Sequence, residues 1–162
     1  MTKSIILGCK AKDRVSGFSG IVTSHHEEFT GMIQWGITPP VDKKKPGEAP
    51  DGLTFDHEQV AYVGVGLNVK PKKFPQMGFK LGDEVEDRVS GYRGIATFRS
   101  DFMNGCTNVS VQAKIKPGDE FKKGKGFPLQ SLKRVGAGIN DPKEAPITPA
   151  PKGGPSQKVS EF

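Results

Sequence analysis

The eleven residues DRVSGFSGIVT, Asp13 to Thr23, return as DRVSGYRGIAT, Asp87 to Thr97, with eight of the eleven positions identical. A phrase written twice constrains the fold strongly, because the local structure it encodes must form in both places. The match runs without a gap over Leu7 to Met32 and Leu81 to Cys106. It lapses after Pro39 and returns where Phe55 to Gly66 lies over Phe127 to Gly138, the second copy being two residues shorter in between. The chain therefore reads as a tandem duplication. The first repeat covers residues 1–66, a linker 67–79, the second repeat 80–138 and a tail 139–162. Five prolines and few apolar residues in that tail predict an extended or disordered segment when free.

Neither repeat has an apolar period suited to a helix. Short runs rich in Val, Ile, Thr and Phe, bounded by Gly or Pro, predict strands. In the first repeat these are Cys9 to Val15, Gly20 to Phe29, Ile33 to Thr38 and Val60 to Val63. In the second they are Asp83 to Val89, Gly94 to Phe102, Thr107 to Ile115 and Ser131 to Val135. The phrase then becomes a turn between two strands. Gly17 and Gly91 supply positive φ, and Gly20 and Gly94 allow close backbone approach. Four or five short antiparallel strands in about 60 residues predict an all-β chain of two tandem SH3-like barrels, packed about a pseudo-twofold axis.

Two readings stand for the residues around the turn. Arg14 and Arg88 present a guanidinium beside a Gly turn and could hold an anion. Alternatively, Asp13 and Asp87 accept backbone N–H bonds and the arginines pack nearby. Phe18 and Tyr92 either fold back over the barrel or point outward to a partner. Arg93 and Asn104, the latter in an Asn-Gly turn, complete the candidate contact set.

No catalytic constellation is legible. His25, His26 and His57 have no nucleophile at a matching spacing, and adjacent strand residues point to opposite faces, so His25 and His26 do not share one metal ion. The expectation is a non-enzymatic protein without cofactor or metal. Cys9 and Cys106 occupy non-equivalent positions in the two repeats and read as free thiols. No apolar run is long enough for a membrane helix, and the N-terminus shows no signal-peptide pattern. The formal charge of +6 comes largely from lysines in loops. Such charge suits nucleic acid, an acidic protein surface or plain solubility.

The stretch LGDEVEDRVSGYRGIAT is similar to the opening strand and turn of KOW-type modules, which implies RNA or ribosomal partners. More specifically, KDRVSGFSGIVT (Lys12 to Thr23) and EDRVSGYRGIAT with the later NGC (Asn104 to Cys106) resemble small bacteriophage and prophage proteins. Those carry a K-D-x-V-T-G-F-x-G-I-V-T stretch followed by N-G-C. In the first repeat TGM stands where that pattern has NGC. The group has no activity to carry over. The resemblance implies a phage context, and with it a virion accessory protein made in the host cytoplasm. Such a protein would decorate or cement the capsid by binding the major capsid protein or another virion protein. Self-association is a further possibility. The rival expectation is a host-takeover protein sequestering a nucleotide, held by Arg14, Arg88, Phe18, Tyr92 and Asn104.

Overall fold

A computed structural model describes residues 3–68 and 73–144. Ten strands form one antiparallel sheet. In the first half they are β1 (Lys10–Asp13), β2 (Ser19–Glu28), β3 (Ile33–Thr38), β4 (Leu53–Asp56) and β5 (Val60–Gly64). In the second half they are β6 (Glu84–Asp87), β7 (Arg93–Phe102), β8 (Thr107–Gln112), β9 (Lys125–Pro128) and β10 (Leu132–Gly136). The pairing order within the first half is β5-β1-β2-β3-β4, and within the second β10-β6-β7-β8-β9. A short 3₁₀ turn separates the fourth strand from the fifth in each, His57–Gln59 and Leu129–Ser131.

The strands follow from alternation. In β8, Thr107, Val109 and Val111 point inward while Asn108 is exposed, the period of two expected of a strand with one buried face. Each half has its own small core. Val22, Trp35, Ile37, Val60 and Ala11 build the first, with Cys9 beneath them. Phe79, Val85, Val109, Val111, Leu129 and Leu132 build the second. Neither is large, and a domain of this size alone is marginal.

The long strands β2 and β7 bend at equivalent irregularities, between Val22 and Ser24 and between Ala96 and Phe98. Their first halves pair with β1 and β6. Their second halves pair with each other, Ser24 to Glu28 against Phe102 to Phe98. At the centre His26 faces Ser100, which occupies the same position in the second copy of the sequence. Equivalent residues facing each other in an antiparallel ladder place a local twofold axis between them.

The all-β expectation holds, and the predicted strands are present with ends displaced by at most three residues. Two strands were not foreseen. β4 (LTFD) and β9 (KGFP) are edge strands of four residues that pair on one side only. The Gly and Pro of β9 hide it, yet Pro is tolerated at such an edge, and β4 is hidden by its shortness after a Pro- and Gly-containing loop. At the end of the segment read as linker, Phe79 lies in the second core with Met77 packed against it. Residues 139–144 fold back in 3₁₀ turns, where the Ile139 N–H donates to the Gly82 carbonyl at 2.9 Å. The rest of the tail lies outside the described residues.

Gly94 sits where a Cβ would lie 2.4 Å from the Gln112 carbonyl oxygen. Gly126 on β9 has open space around it. Gly94→Ala should therefore cost about 2 kcal/mol as the β7–β8 pairing yields. Gly126→Ala should stay within about 0.5 kcal/mol of wild type. Urea unfolding of the two variants checks the contrast.

Candidate functional site

The duplicated phrase forms the β1–β2 and β6–β7 turns. In the first, the buried Asp13 carboxylate accepts from the Ser16 N–H at 2.8 Å and from the Ser16 hydroxyl at 2.5 Å. In the second, Asp87 accepts from the Ser90 N–H at 2.9 Å and its hydroxyl at 2.5 Å. The serine hydroxyl bond is the main reason both carboxyls lie below their ordinary range. Gly17 and Gly91 both take φ of +80°, which closes each turn.

The six residues singled out from sequence all have intramolecular partners here. The Arg14 guanidinium donates to the Glu58 carbonyl at 2.5 Å, and Arg88 donates to the Gln130 carbonyl. Each thereby ties its turn to the 3₁₀ turn before the last strand of its half. The Phe18 ring lies 5.5 Å from Phe55 and the Tyr92 ring 5.3 Å from Phe127, so both fold back onto β4 and β9. Arg93 pairs with Glu86 at 2.5 Å. The Asn104 side-chain oxygen accepts the Cys106 N–H at 2.9 Å and braces the β7–β8 hairpin. What the turns do present is a residue that the sequence reading passed over. Val15 is 78% exposed and Val89, its equivalent, 88% exposed. The signal was there: an apolar residue fixed between Arg and Ser in both copies.

The seam between the halves was not visible from sequence. Asp101, 1% exposed, accepts from Thr107 Oγ1 at 2.6 Å on Oδ1; its Oδ2 accepts from Arg99 Nε at 3.0 Å and bonds His25 Nδ1 at 3.1 Å. Arg99 also donates to the Pro75 carbonyl at 2.6 Å. Phe74 stacks on the His25 ring with centroids 4.6 Å apart. On the axis, His26 Nδ1 bonds the Ser100 hydroxyl at 2.8 Å and its Nε2 the Ser24 hydroxyl at 2.9 Å. Beside the seam, Trp35 Nε1 donates to His57 Nδ1 at 2.8 Å. The three histidines flagged by sequence thus serve three separate hydrogen-bonded groups. Among the described residues no cluster of His, Cys, Asp or Glu is arranged to hold a metal ion.

A cavity of about 220 Å³ opens beside the seam, lined by Leu7, Lys73, Phe74, Met103, Cys106 and Thr107 with Asp101 at its floor. The Asp101 carboxylate is already engaged by three side chains. Cys106 is exposed and Cys9 buried, both as free thiols. Burial pushes the Cys9 thiol pKa up, away from the reactive thiolate. No protein-family model, curated protein or solved structure matches this chain.

Burial works against the Asp101 carboxylate, but the bonds from His25, Arg99 and Thr107 outweigh it, and the net pKa is lowered. Burial, reinforced by the neighbouring His25, lowers the His26 pKa below 6.5. Just below pH 6.5 the unfolded chain binds a proton at His26 that the folded chain refuses, so stability falls as pH drops through that window. The Asp101 contribution is present above 3.8 and is lost as pH falls toward its lowered folded value. Urea midpoints measured between about pH 7.5 and 4.5 should therefore decline, and His26→Gln should shrink that decline. An unaltered slope in the variant would remove His26 from this account.

Proposed function

We propose that each half is a small SH3-like barrel, that the two arose by internal duplication, and that the chain is a non-enzymatic docking protein. Its partner is the shell of a bacteriophage virion, which it decorates or cements. The barrel reading is supported by five strands in the same pairing order in each half, with a 3₁₀ turn before the fifth. The phage context comes from the resemblance of the phrase.

One observation carries the docking role. Val15 and Val89 are exposed apolar residues on identical, rigidly braced turns at positions related by the local twofold. Twofold-related points lie at the same height along the axis, so both tips can meet one surface. Seven residues of strand separate the His26–Ser100 centre from either strand start, about 23 Å of extended chain. The tips are therefore up to roughly 45 Å apart. A partner matched to this arrangement shows the same small apolar socket twice, as a lattice of identical subunits does. Two weak contacts joined rigidly multiply. The charge of +6 suits an acidic shell.

The protein should appear in the mass spectrum of purified particles and co-sediment with them. Val15→Asp or Val89→Asp alone should weaken that binding about a hundredfold, and the double substitution should abolish it. Both positions are exposed turn residues, so thermal melts should be unchanged. Particles that lack the protein would end the shell reading. A rise in melting temperature with a nucleotide would favour the nucleotide-sequestering role instead.

A further inference from the structure

Within each half the longest loop joins the third strand to the fourth, yet the two differ in chemistry. Residues 39–52 balance Lys43, Lys44 and Lys45 with Asp42, Glu48 and Asp51, and contain no aromatic residue. Residues 113–124 carry Lys114, Lys116, Lys122 and Lys123 against Asp119 and Glu120, with Lys125 next on β9. All five lysines are exposed. Among them stands Phe121, 72% exposed and part of neither core.

The loop is braced. Gln112 Nε2 donates to the Ala113 carbonyl at 3.0 Å and to the Lys122 carbonyl at 2.8 Å, clamping both arms together. The Asp119 N–H donates to the Lys116 carbonyl at 3.0 Å, closing a turn in which Gly118 has φ of +89°. Gln112 thereby fixes the backbone of the residue next to Phe121. The ring is held in water beside Lys122 and Lys123, with Lys125 two residues on, at a cost in apolar exposure that its packing does not offset.

We propose that this loop binds single-stranded nucleic acid. Phe121 stacks on an unpaired base while Lys122, Lys123, Lys125 and Lys114 neutralise flanking phosphates. Stacking needs an open ring face and electrostatics needs cations tracking a backbone, and the loop combines the two. An acidic protein surface would use the lysines and leave the ring face idle. A duplex keeps its bases stacked and offers the ring nothing. The site is independent of the shell reading, since the valine tips lie on other loops.

The test uses the full chain and a fluorescein-labelled oligothymidylate about a dozen nucleotides long, read by anisotropy. Binding is expected at low salt, with log affinity falling against log salt at a slope of about −2 to −3 for three to four phosphates. Phe121→Ala should weaken it about five- to a hundredfold with an unchanged thermal melt. Lys122→Ala with Lys123→Ala should flatten the slope by about 1.4. Val15→Asp with Val89→Asp should leave oligonucleotide binding intact, which separates this site from the docking tips. The proposal is overturned by no binding at low salt, by equal affinity for a duplex of the same length, or by a Phe121→Ala variant that binds like wild type. Phe121-dependent capture by phosphatidylserine vesicles without oligonucleotide binding would overturn it in favour of a membrane surface.

Discussion

β2 and β7 are each ten residues long, while β1 and β6, which flank them on one edge, are four. The short neighbours cover only the first half of that edge. The second half would leave N–H and C=O groups unpaired, an open template for another chain. In this molecule the two uncovered edges cover each other. The pairing also docks the hairpin tips reciprocally, as Phe29 N–H donates to the Thr97 carbonyl at 3.0 Å and Met103 N–H to the Thr23 carbonyl at 3.2 Å. Those are equivalent partners in the two copies. Each half is thus completed by the other, which suits halves whose separate cores are too small to be robust.

The seam is polar where a hydrophobic joint would have served for adhesion. Removing one partner from a buried charge cluster costs about 3–5 kcal/mol, because the remaining charge is stranded. The Asp101, Arg99, His25 and Thr107 group therefore discriminates strongly against shifted pairings. A slip of one residue between β2 and β7 would turn Asp101 away from His25 and place it on the opposite face. The cluster also breaks the symmetry that the backbone keeps. Asp101 has Glu27 as its equivalent, and Arg99 has His25. The hub forms on one side of the axis, where Phe74 and Pro75 of the connecting segment close over it.

How much of this was legible depended on range. The turn geometry was written locally: Asp, Ser and Gly at fixed offsets specify the braced loop in both copies, and the Gly17 and Gly91 conformations follow. The alternation of Thr107 to Val111 announced a strand in the same way. The β2–β7 joint could not be read so, because each residue in it has a normal strand neighbour within its own half, and the second pairing appears only in three dimensions. Arg99 illustrates the difficulty. It is buried on Asp101 beside His25 of the other half, while its neighbour Phe98 stacks on His26. Val15 and Val89 were missed for the opposite reason. Each stands as the last residue of a predicted strand, whereas the Asp–Ser bonds turn the backbone before it and send it outward.

The contrast between turns and loops says where a chain with a repeated phrase is free to change. Each β1–β2-type turn is bound into its half by the aspartate–serine bonds, by the arginine on the 3₁₀ carbonyl and by the Gly with positive φ. Altering any of these exposes a buried acceptor or strains the backbone. The loops between third and fourth strands meet a weaker demand, since their ends need only be brought together, and closure entropy varies slowly with length and little with composition. Identical tips and divergent loops are therefore the pattern that folding constraints alone would leave. It follows that likeness between the tips is weak evidence of shared binding, because structure already requires it. Exposure of the valines is stronger evidence, because no bond in the turn requires an apolar side chain there. The same reasoning applies to Phe121: the clamp by Gln112 would hold with any residue beside it, so the ring answers to something outside the fold.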